Sequence, residues 1–143
     1  MDMKSRLSAL WIFAMLNYLY CDVAGLMDRE LLTGYLAGNV GGLDITQWFL
    51  LDAGMLVEIP IAMVLLSRVL EYSANRRANI AAGTIMTAVQ SATLFLGGSP
   101  TMYYLFFSVI EIAATALIAW SAWKWSEPAV QIEQQDAELS APR

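Results

Sequence analysis

Histidine is absent from this 143-residue sequence, and cysteine occurs once, at Cys21. Without histidine the chain lacks the commonest metal ligand, and one cysteine cannot form an internal disulfide. No glycine-rich phosphate loop or basic groove indicates binding of nucleotides or nucleic acid. We therefore predict no cofactor, no metal site and no nucleic-acid partner. We do not predict an enzyme, because only carboxylate acid–base chemistry remains available to one.

Charge is also scarce, since Asp, Glu, Lys and Arg make up 15% of the residues against 58% for hydrophobic residues. That balance is more apolar than a soluble domain of this length needs, and it is typical of an integral membrane protein. The formal net charge of −5 comes largely from the C-terminal tail. We expect this tail, residues 126–143, to be disordered and acidic.

Four long apolar runs predict four membrane-spanning helices, at residues 7–27, 48–67, 78–97 and 101–123. Each run is close to the ~20 residues that a helix needs to cross ~30 Å of hydrocarbon. Backbone amides in lipid must be bonded within their own segment, so helices are expected. The predicted fold is all-α, with residues 1–125 forming one four-transmembrane-helix antiparallel bundle.

The basic residues predict the orientation of that bundle. Arg29 alone falls at one end, and the other end carries Lys4, Arg6, Arg68, Arg76, Arg77 and Lys124. The positive-inside rule then places both termini in the cytoplasm. The loop at the outer end contains "DRELLTGYLAG", which predicts a short amphipathic helix capped by Asp28 and ended by Gly38. "GGSP", residues 97–100, predicts a tight turn between the third and fourth spans.

Each predicted span carries one stripe of small or polar residues at helical spacing. The stripes contain Asn17 and Cys21 in the first span, Gly54 and Glu58 in the second, Gly83, Thr87 and Gln90 in the third, and Ser108, Glu111 and Thr115 in the fourth. Small residues let helices approach closely in lipid, and polar side chains bond across the gap. We therefore predict that the four stripes face each other.

Six acidic or amide side chains within the predicted spans lie at two depths. Asn17, Glu58 and Glu111 fall near the midplane and Gln90 about one turn outward, and a shallower outer layer contains Asp22 and Asp52. Because the spans contain no basic residue to neutralise them, these acids are expected to be protonated, hydrogen-bonded, hydrated or bound to a cation. We predict that Glu58 and Glu111 approach each other and that the six residues form a ligand- or proton-binding site.

Three segments carry a resemblance to a known family: "LWIFAMLNYLYCDVAGLMD", "VEIPIAMVLLSRVLEYSANRRANIAAG" and "SPTMYYLFFSVIEIAATALIAWSAWKW". Together they resemble a bacterial family of short four-span integral membrane proteins of unknown function, over residues 7–125. The resemblance implies the fold and a multi-pass location in the bacterial cytoplasmic membrane. It supplies no catalytic residue.

Two functions remain open at this point. The first is a carrier or binder of protons, small cations or lipophilic amines that uses the midplane carboxylates. The chain is similar to the small multidrug transporters in its length and in having a glutamate inside a membrane span. The alternative is a non-transport accessory or assembly subunit, in which the polar stripes serve helix packing alone. Membrane lipids, a second copy of the chain or another membrane protein are the expected partners.

Overall fold

The computed structural model describes residues 1–95 and 100–126, and this part of the chain is almost entirely helical. Its helices are α1 (Met3–Met27), α2 (Arg29–Ala37), α3 (Gln47–Val69), α4 (Tyr72–Thr93) and α5 (Met102–Lys124). Two strands, β1 (Asn39–Val40) and β2 (Leu43–Asp44), pair antiparallel between α2 and α3. The all-α prediction is therefore confirmed.

The prediction of four membrane spans is wrong. Within the described residues three helices, α1, α3 and α5, are long and apolar enough to cross a membrane, with mean hydropathies of 1.4, 2.1 and 1.8. The exception is α4, which replaces the predicted span 78–97, begins six residues earlier and is rich in Asn, Gln, Ser, Thr and Arg. The start of α1 and the end of α5 nevertheless lie at the same end of the bundle, because Arg68 at the end of α3 bonds Ser8 and Arg76 at the start of α4 bonds Trp123.

Two other predictions concern residues for which the structure gives no description. The predicted turn at residues 97–100 is described only at its last residue, Pro100, and the predicted disordered tail only at its first, Ser126. Both stay predictions.

The four long helices form a bundle in which α1 and α4 separate α3 from α5. α1 packs against both α3 and α5, and α4 packs closely on α5 and less extensively on α3. Gly83 brings α4 onto α5, because a Cβ at this position would lie 2.9 Å from the carbonyl oxygen of Thr115. Thr87 and Thr115 then share a hydrogen bond of 2.8 Å between their hydroxyls. The predicted facing of the α4 and α5 stripes is confirmed.

The stripe predicted for α3 does not face the other helices of the bundle. Gly54 and Glu58 are exposed, and the buried residues of this helix are Pro60, Met63 and Ser67. At 100° per residue, Glu58 lies about 160° around the helix from Pro60. Polarity was therefore a poor guide to the packed face of α3, which is built from a methionine, a proline and a serine.

A buried polar network joins α1, α3 and α4 at the end of the bundle opposite α2. The Trp11 indole Nε1 donates to Asn79 Oδ1 at 2.7 Å, and the Ser67 hydroxyl donates to the same oxygen at 3.1 Å. Asn75 Nδ2 donates to the Ser67 carbonyl at 2.6 Å. All four residues are completely buried. Satisfied networks of this kind fix the register of packed helices.

Arg76 ties the start of α4 to the C-terminal end of α5. Its Nε donates to the carbonyl of Ala122 at 3.2 Å and its Nη2 to the carbonyl of Trp123 at 3.0 Å. The last carbonyls of a helix have no partner within the helix and carry its negative dipole end, so a guanidinium is favourable there. The adjacent Arg77 instead bonds the Ser73 carbonyl of its own helix at 3.3 Å.

Candidate functional site

Helix α2, whose presence and caps the sequence predicted, lies across one end of the bundle. Asp28 caps it, with Oδ1 accepting from the amides of Glu30 and Leu31 at 2.9 and 3.3 Å. Gly38 ends it in the left-handed conformation, at a φ of 74°, which glycine adopts without steric cost. The helix approaches α1 closely at Gly25, where a Cβ would lie 3.0 Å from Leu31 Cδ2.

Beneath α2 is a cavity of about 900 Å³, which we call the α2 cavity. All five helices and the β1–β2 hairpin contribute to its walls. Four acidic residues line it, namely Asp22, Asp28, Glu30 and Asp52, and none of the described lining residues is Lys or Arg. The volume is at the upper end of the range for sites that enclose small organic ligands. The cavity is therefore both roomy and acidic.

Aromatic rings form a second part of the wall. They belong to Tyr35, Phe49, Tyr103 and Tyr104. Tyr104 is held in place because its hydroxyl donates to Thr93 Oγ1 at 2.7 Å, which also joins α5 to α4. Aromatic faces attract cations through their quadrupole, so these rings reinforce the preference of the carboxylates for positive charge.

The acidic residues of the α2 cavity differ in whether other contacts already occupy their carboxylates. Asp28 is committed to capping α2. Asp22 and Asp52 are exposed on α1 and α3 and face the cavity from two sides. Burial raises the pKa of the Tyr35 phenol, and the neighbouring Asp22 carboxylate adds to the shift. Tyr35 is thus a neutral hydroxyl donor beside a carboxylate at physiological pH.

Glu111 lies deeper, inside the helix bundle. Its side chain is 1% exposed, and neither carboxyl oxygen has a hydrogen-bond partner among the described residues. The buried Tyr18 hydroxyl is likewise without a partner there. Cys21 on α1 is among the residues that line the α2 cavity, whereas Glu111 is not. Glu111 is therefore a buried, unpartnered carboxyl group inside the bundle, apart from the cavity wall.

The remaining predicted site residues are not gathered at the α2 cavity. Asn17 is half-buried, and its Nδ2 donates to the Phe13 carbonyl of its own helix at 2.8 Å. Gln90 is buried between α4 and α5, where its Nε2 donates to Ser108 Oγ at 2.9 Å. Glu58 is exposed on the far side of α3 from the bundle. The expected approach of Glu58 to Glu111 is therefore not observed.

The sequence interpretation missed the tyrosines of the α2 cavity. Tyrosines near span ends are common at membrane interfaces, so Tyr103 and Tyr104 were not distinguished from an ordinary aromatic belt. A useful signal was present in the placement of Asp22 and Asp52 at the same depth, beneath a predicted capping helix. Rings at that depth were the candidates to complete a cation site.

The model of DUF6326, a family of unknown function, matches residues 1–131 of the chain. The chain belongs to the DUF6326 family. No curated protein and no solved structure matches it. The match covers α1 to α5 and the α2 cavity, so the site described above lies within the part of the chain that the family shares.

Proposed function

We propose that this DUF6326 protein is integral to the bacterial cytoplasmic membrane and binds a lipophilic organic cation in the α2 cavity. The main support for the proposal is the composition of the cavity wall, which combines Asp22 and Asp52 with three tyrosines and a phenylalanine around a space of about 900 Å³. Three helices of spanning length and apolarity support the membrane location. The concentration of basic residues at the end opposite α2 supports a single orientation.

The wall favours an amine or a quaternary ammonium over an anion or a neutral molecule. Two carboxylates attract positive charge, and the effect is stronger in a half-apolar cavity than in open water. Aromatic rings accept the cation on their faces and also cover its hydrocarbon part. A ligand with a charged centre and an apolar body uses every part of this surface.

Glu111 is the proposed proton-binding residue of the same system. A carboxylate buried without a partner is costly, so a neutral acid is the form expected at this position. Glu111 does not line the α2 cavity, so the proposal is that the proton on Glu111 and the cation in the cavity occupy separate sites whose charges compensate each other through the bundle. Exchange of that proton against a cation is the proposed basis of carrier activity.

The alternative is an accessory subunit in which the polar stripes only hold helices together. The bonds from Thr87 to Thr115 and from Gln90 to Ser108 favour it, because they satisfy these side chains within the α4–α5 contact. The accessory-subunit alternative assigns no role to the acidic wall of the α2 cavity. The two functions are therefore separated by a direct binding measurement.

The test compares two ions of nearly the same size and shape but opposite charge. The protein in nanodiscs of neutral lipid is titrated calorimetrically with tetraphenylphosphonium and, separately, with tetraphenylborate, and empty nanodiscs correct for partition into lipid. We expect saturable binding of the cation at one site per chain and no saturable binding of the anion. Equal binding of both ions, or of neither, contradicts the proposed function.

A further inference from the structure

Helix α3 has a second regular face that points away from the bundle. It consists of residues spaced alternately four and three apart, and we call it the outward α3 face: Leu51, Met55, Glu58, Ala62, Leu65 and Val69. Ala62 is half-buried and the other five are exposed. Of the three candidate spans α3 is the most apolar and the least buried, with 11% of its span buried against 39% for α5.

This spacing is the heptad seam along which two helices pack with a left-handed supercoil. A small residue beside such a seam allows close approach in lipid. Gly54 provides one, since it lies one turn from Glu58 and a Cβ at this position would meet no atom within 4 Å. The outward α3 face therefore has the form of a helix-pairing surface with room at its centre.

A carboxyl group such as that of Glu58 is not expected on a helix face that contacts only lipid. Glu58 is the middle residue of α3, eleven positions from both Gln47 and Val69, which is roughly 16 Å from either helix end at 1.5 Å per residue. At that depth a carboxyl group cannot reach water by extending its side chain. Ionisable residues inside membranes almost always face a protein partner or a hydrated cavity.

We infer that the outward α3 face is a dimer interface with a second copy of this chain, in which the two Glu58 carboxyl groups hydrogen-bond to each other. Copies inserted in the same orientation bring identical residues to the same depth, and a two-fold axis places Glu58 opposite Glu58. A protonated carboxyl group both donates and accepts, so identical acids are complementary. A single polar residue in an apolar seam also fixes the pairing register.

A second copy brings its own Glu58 to that depth, whereas no basic side chain of the described spanning helices lies there to pair with the carboxyl group. The basic residues of α1, α3 and α5 are Lys4, Arg6, Arg68 and Lys124, all close to helix ends. A different membrane protein would have to bring its own donor to the level of Glu58. The interface is also separate from the α2 cavity, whose walls do not include Glu58 or Gly54.

The experiment measures association in liposomes by energy transfer between separately labelled copies, at decreasing protein-to-lipid ratios. Two variants test the interface. Glu58→Leu removes the hydrogen bond, and Gly54→Leu fills the space needed for close approach, so each is expected to weaken dimerisation at least tenfold. Glu58→Gln, which keeps a donor and an acceptor, is expected to dimerise like the original chain. Ala116→Leu adds similar bulk to an exposed position on α5 and serves as the matched control.

Correct folding of each variant is checked by circular dichroism and by its thermal unfolding transition, and tetraphenylphosphonium binding is measured separately. The cavity lies outside the interface, so loss of dimerisation with retained folding supports the inference whether or not the cation binds. The inference is overturned if the original chain stays monomeric at every ratio, because the face then belongs to lipid or to another protein. It is equally overturned if folded Glu58→Leu and Gly54→Leu chains dimerise as well as the Ala116→Leu control.

Discussion

Replacing Gly83 with alanine tests how closely α4 must approach α5. A Cβ on Gly83 would lie 2.9 Å from the Thr115 carbonyl oxygen and 3.1 Å from both the backbone nitrogen and the Cβ of Ala119. Two of these contacts are with backbone atoms of α5, which cannot rotate away. The helices must therefore separate by a few tenths of an ångström, and the 2.8 Å bond between Thr87 and Thr115 lengthens with them.

The expected loss of stability follows from three terms. Overpacking in a well-packed contact costs about 1–3 kcal/mol, and weakening the threonine bond adds about 1 kcal/mol. Alanine returns about 1 kcal/mol through its higher helix propensity than glycine. Gly83→Ala should therefore lower the free energy of unfolding by about 1–3 kcal/mol.

The matched control is Gly54→Ala, because a Cβ on Gly54 meets no atom within 4 Å. It gains the same helix propensity without a clash, so its stability should be unchanged or higher by up to about 1 kcal/mol. Both variants are compared by tryptophan fluorescence during unfolding in mixed micelles, at protein concentrations low enough to keep the chain monomeric. The reasoning is refuted if Gly83→Ala is as stable as Gly54→Ala.

Three further predictions concern contacts on α1, α2 and α4. Trp11→Phe removes one of the two donors to the buried Asn79 amide oxygen and leaves Ser67 as the other, so thermal unfolding should show a loss of about 1 kcal/mol; an unchanged unfolding temperature would contradict this. Arg76→Ala should destabilise the chain by about 1 kcal/mol through loss of its helix-end contacts, whereas Arg77→Ala should not, and equal effects would refute the assignment. Because the folded-state pKa of Tyr35 is raised, its contribution to stability is fully present below pH ~10 and is lost as the pH rises further. Tyr35→Phe should remove this part of the pH-dependent loss of stability. The rate at which a protease cleaves α2, measured from pH 9 to 12 in both chains, reports the difference.

The helix positions were largely predictable because they follow from chain length and local chemistry. The limits of α1, α3 and α5 fall within four residues of the predicted spans. The caps of α2, Asp28 and Gly38, were predictable because each has a local mechanism. The nature of α4 was not, since its apolar residues alternate with Asn79, Thr87 and Gln90, whose bonds to side chains on other helices cannot be derived from their own segment of sequence.

The candidate site was predictable only in part. Asp22 and Asp52 share a depth, which sequence position supplies, and both line the α2 cavity. The error over Glu58 came from assuming that every polar residue in a span turns toward the bundle. The side of α3 that is buried depends on how Pro60 and Met63 pack against neighbouring helices, and single-helix periodicity does not carry that information.

The most direct test of the proposed function is the affinity for tetraphenylphosphonium of three variants that each remove one negative charge. Asp22→Asn and Asp52→Asn change the wall of the α2 cavity, whereas Glu71→Gln changes an exposed residue at the start of α4, outside that wall. Removing a partly screened carboxylate near a bound cation costs about 1 kcal/mol, which corresponds to a roughly fivefold weaker affinity. We predict this loss for Asp22→Asn and Asp52→Asn and an unchanged affinity for Glu71→Gln. The same affinity in all three variants would contradict the account.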